Sequence, residues 1–191
     1  MKKFSRRRGV VTTSLTGFEV ELLTSLVSQL VELVSDGDPE RYEAQAPGAD
    51  PFERLVRDLQ VDPDAPEVSD DPVLRRLFPN AYPHDETASA DFRRFTEHDL
   101  RGKKVDDAQV VLRDLARTAG GTQDLRIDPA DAEAWLRTLT AVRLAVATRL
   151  GITDAETAEE LAGLPDEDPR SYMRSVYDWL GFAQETLLAT L

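Results

Sequence analysis

This sequence predicts a mainly α-helical protein. The expected architecture is a single-domain bundle of seven to eight helices with a small pair of β-strands near the N-terminus. Three observations carry that expectation. Several segments place their apolar side chains on one face at 100° per residue, the period of an amphipathic helix. Asp-Pro occurs six times, four of them directly ahead of such a segment. Aspartate accepts the orphan N–H bonds of a helix start, and proline suits the first helical position because its missing donor is not needed there. Only two stretches, 8–15 and 124–127, are short, β-prone and bounded by turn residues.

The elements follow in chain order. Residues 1–8 carry Lys2, Lys3, Arg6, Arg7 and Arg8, and read as a basic arm ahead of the first strand. A helix over 16–35 aligns Leu22, Leu23, Leu26, Leu30, Leu33 and Val34, and Thr16 with Glu19 has capping-box spacing at its start. The acid- and proline-rich stretches 36–50 and 61–71 read as loops on either side of a short helix over 51–60, with Asp50 and Glu53 as its capping pair. Further helices are predicted over 72–78, 86–101 and 103–119, the last two separated at Gly102. Gly120-Gly121 reads as a helix stop before the second strand.

Segment 130–150 puts Trp135, Leu139, Val142, Val146 and Leu150 on one stripe with little charge elsewhere, so it reads as the central helix, ended by Gly151. A short helix over 154–162 has Thr153 and Glu156 at capping spacing. The last helix, 169–191, aligns Tyr172, Met173, Val176, Trp179, Leu180, Ala183 and Leu187. No repeat or sharp composition break divides the chain, so residues 1–191 are expected to form one domain.

Composition narrows the class. A chain of 191 residues with 41% hydrophobic and 31% charged residues has the balance of a soluble globular protein. With no cysteine, it offers no disulfide, thiolate metal site or thiol switch. The basic start resembles a signal peptide, but Thr12, Thr13 and Ser14 interrupt the apolar run that one requires. No stretch approaches the roughly 20 apolar residues of a membrane span. A cytoplasmic protein without a membrane partner is expected. The first eight residues carry +5 within a net charge of −13, which leaves −18 on the rest. That field repels phosphate backbones, so nucleic acid is expected only where a local basic patch dominates.

The most distinctive block is 71–108, which holds two such readings. Phe92 and Phe95 fall on one face of the predicted helix 86–101 with Ala88, and Asp99 lies on the same face. A carboxylate turned toward a core needs a partner, and Arg143 is the expected one, with Arg149 and Arg76 as alternatives. The plainer reading is that Asp99 sits near a helix end and reaches water. The opposite side carries Arg93, Arg94, Arg101, Lys103 and Lys104, five bases against three acids over 91–104. These five are the expected partner-binding strip, for an acidic protein surface or a phosphate backbone, against the bland reading of an ordinary solvated face.

Signals for chemistry are poor. His84 and His98 are the only histidines and have no metal-ligand spacing. No nucleophile elbow, P-loop or dinucleotide fingerprint is present. No catalytic residue, metal or cofactor is expected.

Three stretches together resemble a known family: 71–85 (DPVLRRLFPNAYPHD) with 90–108 (ADFRRFTEHDLRGKKVDDA), 134–152 (AWLRTLTAVRLAVATRLGI), and 177–188 (YDWLGFAQETLL). The family comprises actinobacterial proteins encoded beside the Clp protease adaptor ClpS and bearing the name oxidative stress transcriptional regulator AosR. The resemblance covers nearly the whole chain. It implies a regulator that works with the transcription machinery; a thiol sensor would need cysteines that these residues lack. The function expected is thus that of a non-enzymatic cytosolic protein acting by protein–protein contact. The alternative is direct DNA binding through a helix-turn-helix-like element, with 103–119 as recognition helix and 124–127 as part of a wing. A metal protein or enzyme built on His84 and His98 is the third.

Overall fold

The computed structural model describes residues 1–7, 9–35, 69–165 and 167–191. The predicted helix 51–60, its capping pair Asp50 and Glu53, the loop 36–50 and most of the loop 61–71 lie outside them, as does Arg8 of the basic arm. Met1–Leu30 and Asp107–Leu191 make one compact unit, and Val31–Asp106 a second. Each division falls inside a helix, where no change of composition marks it.

In the first unit, strands β1 (Ser5–Arg7), β2 (Val10–Thr13) and β3 (Leu125–Ile127) form an antiparallel sheet in the order β1-β2-β3. Ser5 lies opposite Thr12 in one ladder, and Val11 opposite Ile127 in the other. The predicted strand pair is therefore β2 with β3. The third strand comes from residues that the sequence presents as a basic arm. Two features hold it: Phe4 is buried, and Lys2 exchanges bonds with the β2 end, its N–H donating to Ser14 C=O at 3.1 Å and its C=O accepting from Thr13 Oγ1 at 2.6 Å. Arg6 and Arg7 stay exposed.

Helix α1 (Gly17–Val34) starts at the expected capping box. Glu19 Oε2 accepts from Thr16 N–H at 2.8 Å, and Thr16 Oγ1 from Glu19 N–H at 3.3 Å. Its buried stripe is Val20, Leu23, Val27, Leu30, Val31 and Val34, turned slightly from the predicted face, so that Leu22, Leu26 and Leu33 are half-buried.

Helix α2 (Pro72–Leu77) is capped by Asp71, whose Oδ1 accepts from Val73 N–H at 2.7 Å. Helix α3 then runs unbroken from Glu86 to Ala116, 31 residues, where the sequence predicts two helices parted at Gly102. A glycine inside a helix costs about 1 kcal/mol relative to alanine. Gly102 is itself buried, and so are Val105, Ala108, Val111 and Leu115 beyond it. Burying one such valine or leucine is worth about 1.5–3 kcal/mol, so packing outweighs the local penalty. The turn that a recognition helix starting at Lys103 requires is absent. The chain reverses at Gly120-Gly121 instead, both at positive φ. A Cβ on Gly121 would stand 2.7 Å from Gly17 N, so only glycine lets this turn close on the start of α1.

Helix α4 (Ala132–Leu150) buries Trp135, Leu139, Val142 and Val146 as its stripe predicts, and Gly151 ends it at φ +76°. Helix α5 (Ala155–Ala162) begins one residue later than its predicted cap. Asp154 and Thr157, not Thr153 and Glu156, exchange the two capping bonds, with Asp154 Oδ1 accepting from Thr157 N–H at 2.9 Å. Helix α6 (Ser171–Leu188) packs along α4 through Val176, Leu180, Ala183 and Leu187. Tyr172, predicted on that stripe, is exposed, whereas Met173 and Trp179 are half-buried. Among the described residues there are six α-helices, and none is long and apolar enough to cross a membrane.

Candidate functional site

The five predicted partner-binding bases sit on one helix but do not share one environment. Arg101 is buried. Its Nε and Nη2 donate to Glu97 Oε1 at 2.9 and 2.8 Å, and Nη1 donates to Val34 C=O at 2.7 Å. Its guanidinium also lies 5.1 Å from the centroid of Phe78. Each bond satisfies part of a charge that would be costly to bury alone. Arg101 is a structural strut, which corrects its assignment to an exposed strip. Lys104 is half-buried with its ammonium 5.6 Å from the same Phe78 ring.

Of the other three bases, Arg93 and Arg94 are half-buried. Arg93 Nη1 donates to Asn80 Oδ1 at 2.7 Å, and Arg94 lies 3.4 Å from Asp91 and 4.6 Å above the ring of Phe95. Lys103 is exposed.

The predicted core face of this segment is also reversed. Phe95 is 63% exposed and Phe92 39%, and Asp99 on the same stripe is exposed too. The buried face of α3 is the other one, through Ser89, Glu97, Arg101 and Val105. Helical wheels rank faces by apolarity, and here two phenylalanines outscored a face whose charges cancel one another. Glutamate and arginine four residues apart are the local signal for such a pair. As Asp99 reaches solvent, it needs no structural counter-ion. Arg143 is held in a different way: its guanidinium stacks 4.5 Å from the Tyr177 ring and Nη1 donates to Gln184 Oε1 at 3.3 Å.

What α3 presents, then, is an exposed stripe at helical spacing, Phe92, Phe95, Asp99 and Lys103, with Leu100 beside it and Arg93 and Arg94 at its flank. Tyr82, 51% exposed, adds a third ring in edge contact with Phe92 at 6.2 Å between centroids. Large aromatics clustered with arginine on a surface have the composition of a protein contact site.

Between α3 and α4 the same chemistry is turned inward. Asp114, 2% exposed, accepts from Trp135 Nε1 at 3.0 Å, from Arg113 Nε and Nη2 at 3.0 and 2.9 Å and from Arg117 Nη1 at 3.1 Å. Asp107 takes both arms of Arg137 at 2.6 and 2.9 Å. Those bonds to Asp107, with the ones to Glu133, raise the Arg137 pKa and hold it fully charged. Asp106, Asp107 and Asp114, read in the sequence only as acids unfavourable to DNA, include two of the principal internal acceptors. Nothing local links Asp107 to Arg137, thirty residues on, so no sequence signal points to this network. His84 is exposed and His98 half-buried, and among the described residues no three of histidine, aspartate and glutamate gather as a metal site would require.

The comparisons with known proteins extend over the whole fold. The chain belongs to the family described as a domain of unknown function, DUF2017, whose model matches residues 1–191. It is similar to proteins named oxidative stress regulator AosR from Mycobacterium bovis and Mycobacterium tuberculosis, 27% identical over 192 residues that cover 94% of this chain and 81% of each relative. No solved structure matches it significantly.

Proposed function

We propose that this chain is a non-enzymatic regulator of the oxidative stress response that acts by protein–protein contact, with a component of the transcription machinery as its partner. The contact surface is the outer stripe of α3: Phe92, Phe95 and Leu100 as apolar anchors, with Tyr82 beside them and Arg93, Arg94 and Lys103 as the polar rim. The names of the mycobacterial relatives support the regulatory role.

The single observation that carries the surface is the exposure of Phe95, at 63%, beneath the guanidinium of Arg94. An exposed ring capped by a cation is already oriented, so covering both groups together removes apolar area from water without a large ordering cost. Bases on a chain of net charge −13 also form a local positive feature, which steers an acidic partner to this face and away from the rest.

The test is affinity capture from native lysate with wild-type protein and with the double variant Phe95→Ala/Arg94→Glu, quantified by mass spectrometry. Subunits of the transcription machinery should be enriched with the wild type and lost from the variant while its melting temperature is unchanged. Equal capture by both would remove the α3 stripe from the account.

A further inference from the structure

We infer that Arg143, cradled between α4 and α6, is a binding site for a single carboxylate group supplied by an acidic side chain of a partner polypeptide. The site is independent of the α3 stripe. Arg113, Arg117, Arg137 and Arg170 each meet a carboxylate at 3.1 Å or less. Arg143 is half-buried, yet among the described residues no carboxylate forms an ion pair with it. Its one hydrogen bond goes to a neutral amide, Gln184 Oε1 at 3.3 Å, and its Nε is enclosed without a hydrogen-bond partner. A guanidinium has five donors, and a half-buried one that uses a single donor on a neutral acceptor leaves most of its bonding capacity unmet.

The surroundings fix the fork rather than neutralise it. Tyr177 stacks on its face at 4.5 Å. Gln184 is itself held, its Nε2 donating to Thr140 Oγ1 at 2.8 Å, and Thr140 in turn donates to Leu136 C=O at 2.7 Å. Gly181 supplies the room: a Cβ there would lie 3.1 Å from Nη2 and 3.2 Å from Cζ, so any other residue presses on the guanidinium. A planar cation stacked on one face and braced at one corner offers its terminal Nη1 and Nη2 N–H groups, rather than the enclosed Nε, as a pre-oriented fork that can receive a carboxylate through two parallel bonds. A singly charged ligand fits better than a phosphate dianion. Among the described residues the groups found against Arg143 are the neutral Tyr177, Gln184 and Gly181, and Asp178 and Glu185, both exposed, are next in sequence to Tyr177 and Gln184 on α6.

The experiment follows the arginine Nε–Hε signals by NMR in the full 191-residue protein during titration with sodium acetate, against sodium chloride at equal ionic strength. The Arg143 signal should move saturably at millimolar acetate while those of Arg113 and Arg137 stay fixed. The response should vanish in Arg143→Lys and weaken in Gly181→Ala, with thermal melts run alongside to show that both variants are folded. A short peptide bearing one glutamate should bind about tenfold more tightly than its glutamine counterpart, a difference of about 1.4 kcal/mol. An Arg143 signal that moves no more than that of Arg137 would overturn the site. A stronger response to inorganic phosphate than to acetate would overturn the carboxylate assignment.

Discussion

The two halves of α3 treat charge in opposite ways. Toward its C-terminal end, Asp107 and Asp114 are buried, the first held by both arms of Arg137 and the second by Arg113 and Arg117. Toward its N-terminal end, Arg93 and Arg94 lean on Asn80, on Asp91 and on the exposed ring of Phe95. The difference teaches that burial, not residue type, decides what a charge is for. A carboxylate enclosed beside Trp135 must be satisfied from within the chain, whereas a cation over an exposed aromatic can be left only partly paired by it.

The largest effect that sharpens this contrast is expected at Asp114. Asp114→Ala leaves the Trp135 indole N–H without its acceptor and removes the charge between Arg113 and Arg117. Breaking such a buried site costs about 3–5 kcal/mol. A chain of this size should then melt roughly 10 °C lower, with a changed Trp135 environment in near-ultraviolet circular dichroism. A variant as stable as the wild type would show that the inner network is not structural.

Arg101 tests where the boundary between the two regimes falls. Arg101→Ala strands buried Glu97 and should destabilise by about 3 kcal/mol in chemical denaturation, although the residue belongs by sequence to the basic strip. On the outer stripe, Phe95→Ala and Arg94→Glu should each change stability by no more than about 0.5 kcal/mol and be felt only in partner capture.

The smallest effect is a local one. Hydrogen bonding from the Thr157 backbone and hydroxyl holds the Asp154 carboxyl below its ordinary value of 3.8. A depressed carboxylate stabilises the fold above its unfolded pKa and loses that contribution as pH falls through the folded value. Helix α5 should therefore fray only in acid, seen as loss of protection of the Thr157 amide below about pH 4. Asp154→Ala should abolish that pH dependence.

Much of the architecture was legible in the sequence because helix signals are local. The caps at Thr16 and Asp71, the stripe of α4 and the glycine stop at 151 all depend on residues a few positions apart. The illegible parts are those decided across the fold. Gly102 reads as a break until the burial of its neighbours is known, and Phe4 anchors a strand only because β2 lies alongside. The exposed stripe was half legible: the block 71–108 contains it, and of the bases read there Lys103 is exposed while Arg93 and Arg94 are half-buried. Wheel projection then placed Phe92 and Phe95 inside and Arg101 outside. An ion pair that hides a charge and a helix face that exposes a ring both run against apolar ranking, and neither is written in periodicity.

The most direct test of the central claim is site-specific photo-crosslinking in living cells, with a photoreactive phenylalanine at position 95 and a control at the exposed position 159. A discrete adduct with a transcription-machinery subunit is expected from position 95 and none from 159. No adduct at 95, or the same adduct from both positions, would contradict the assignment of the outer α3 stripe as the surface through which this protein works.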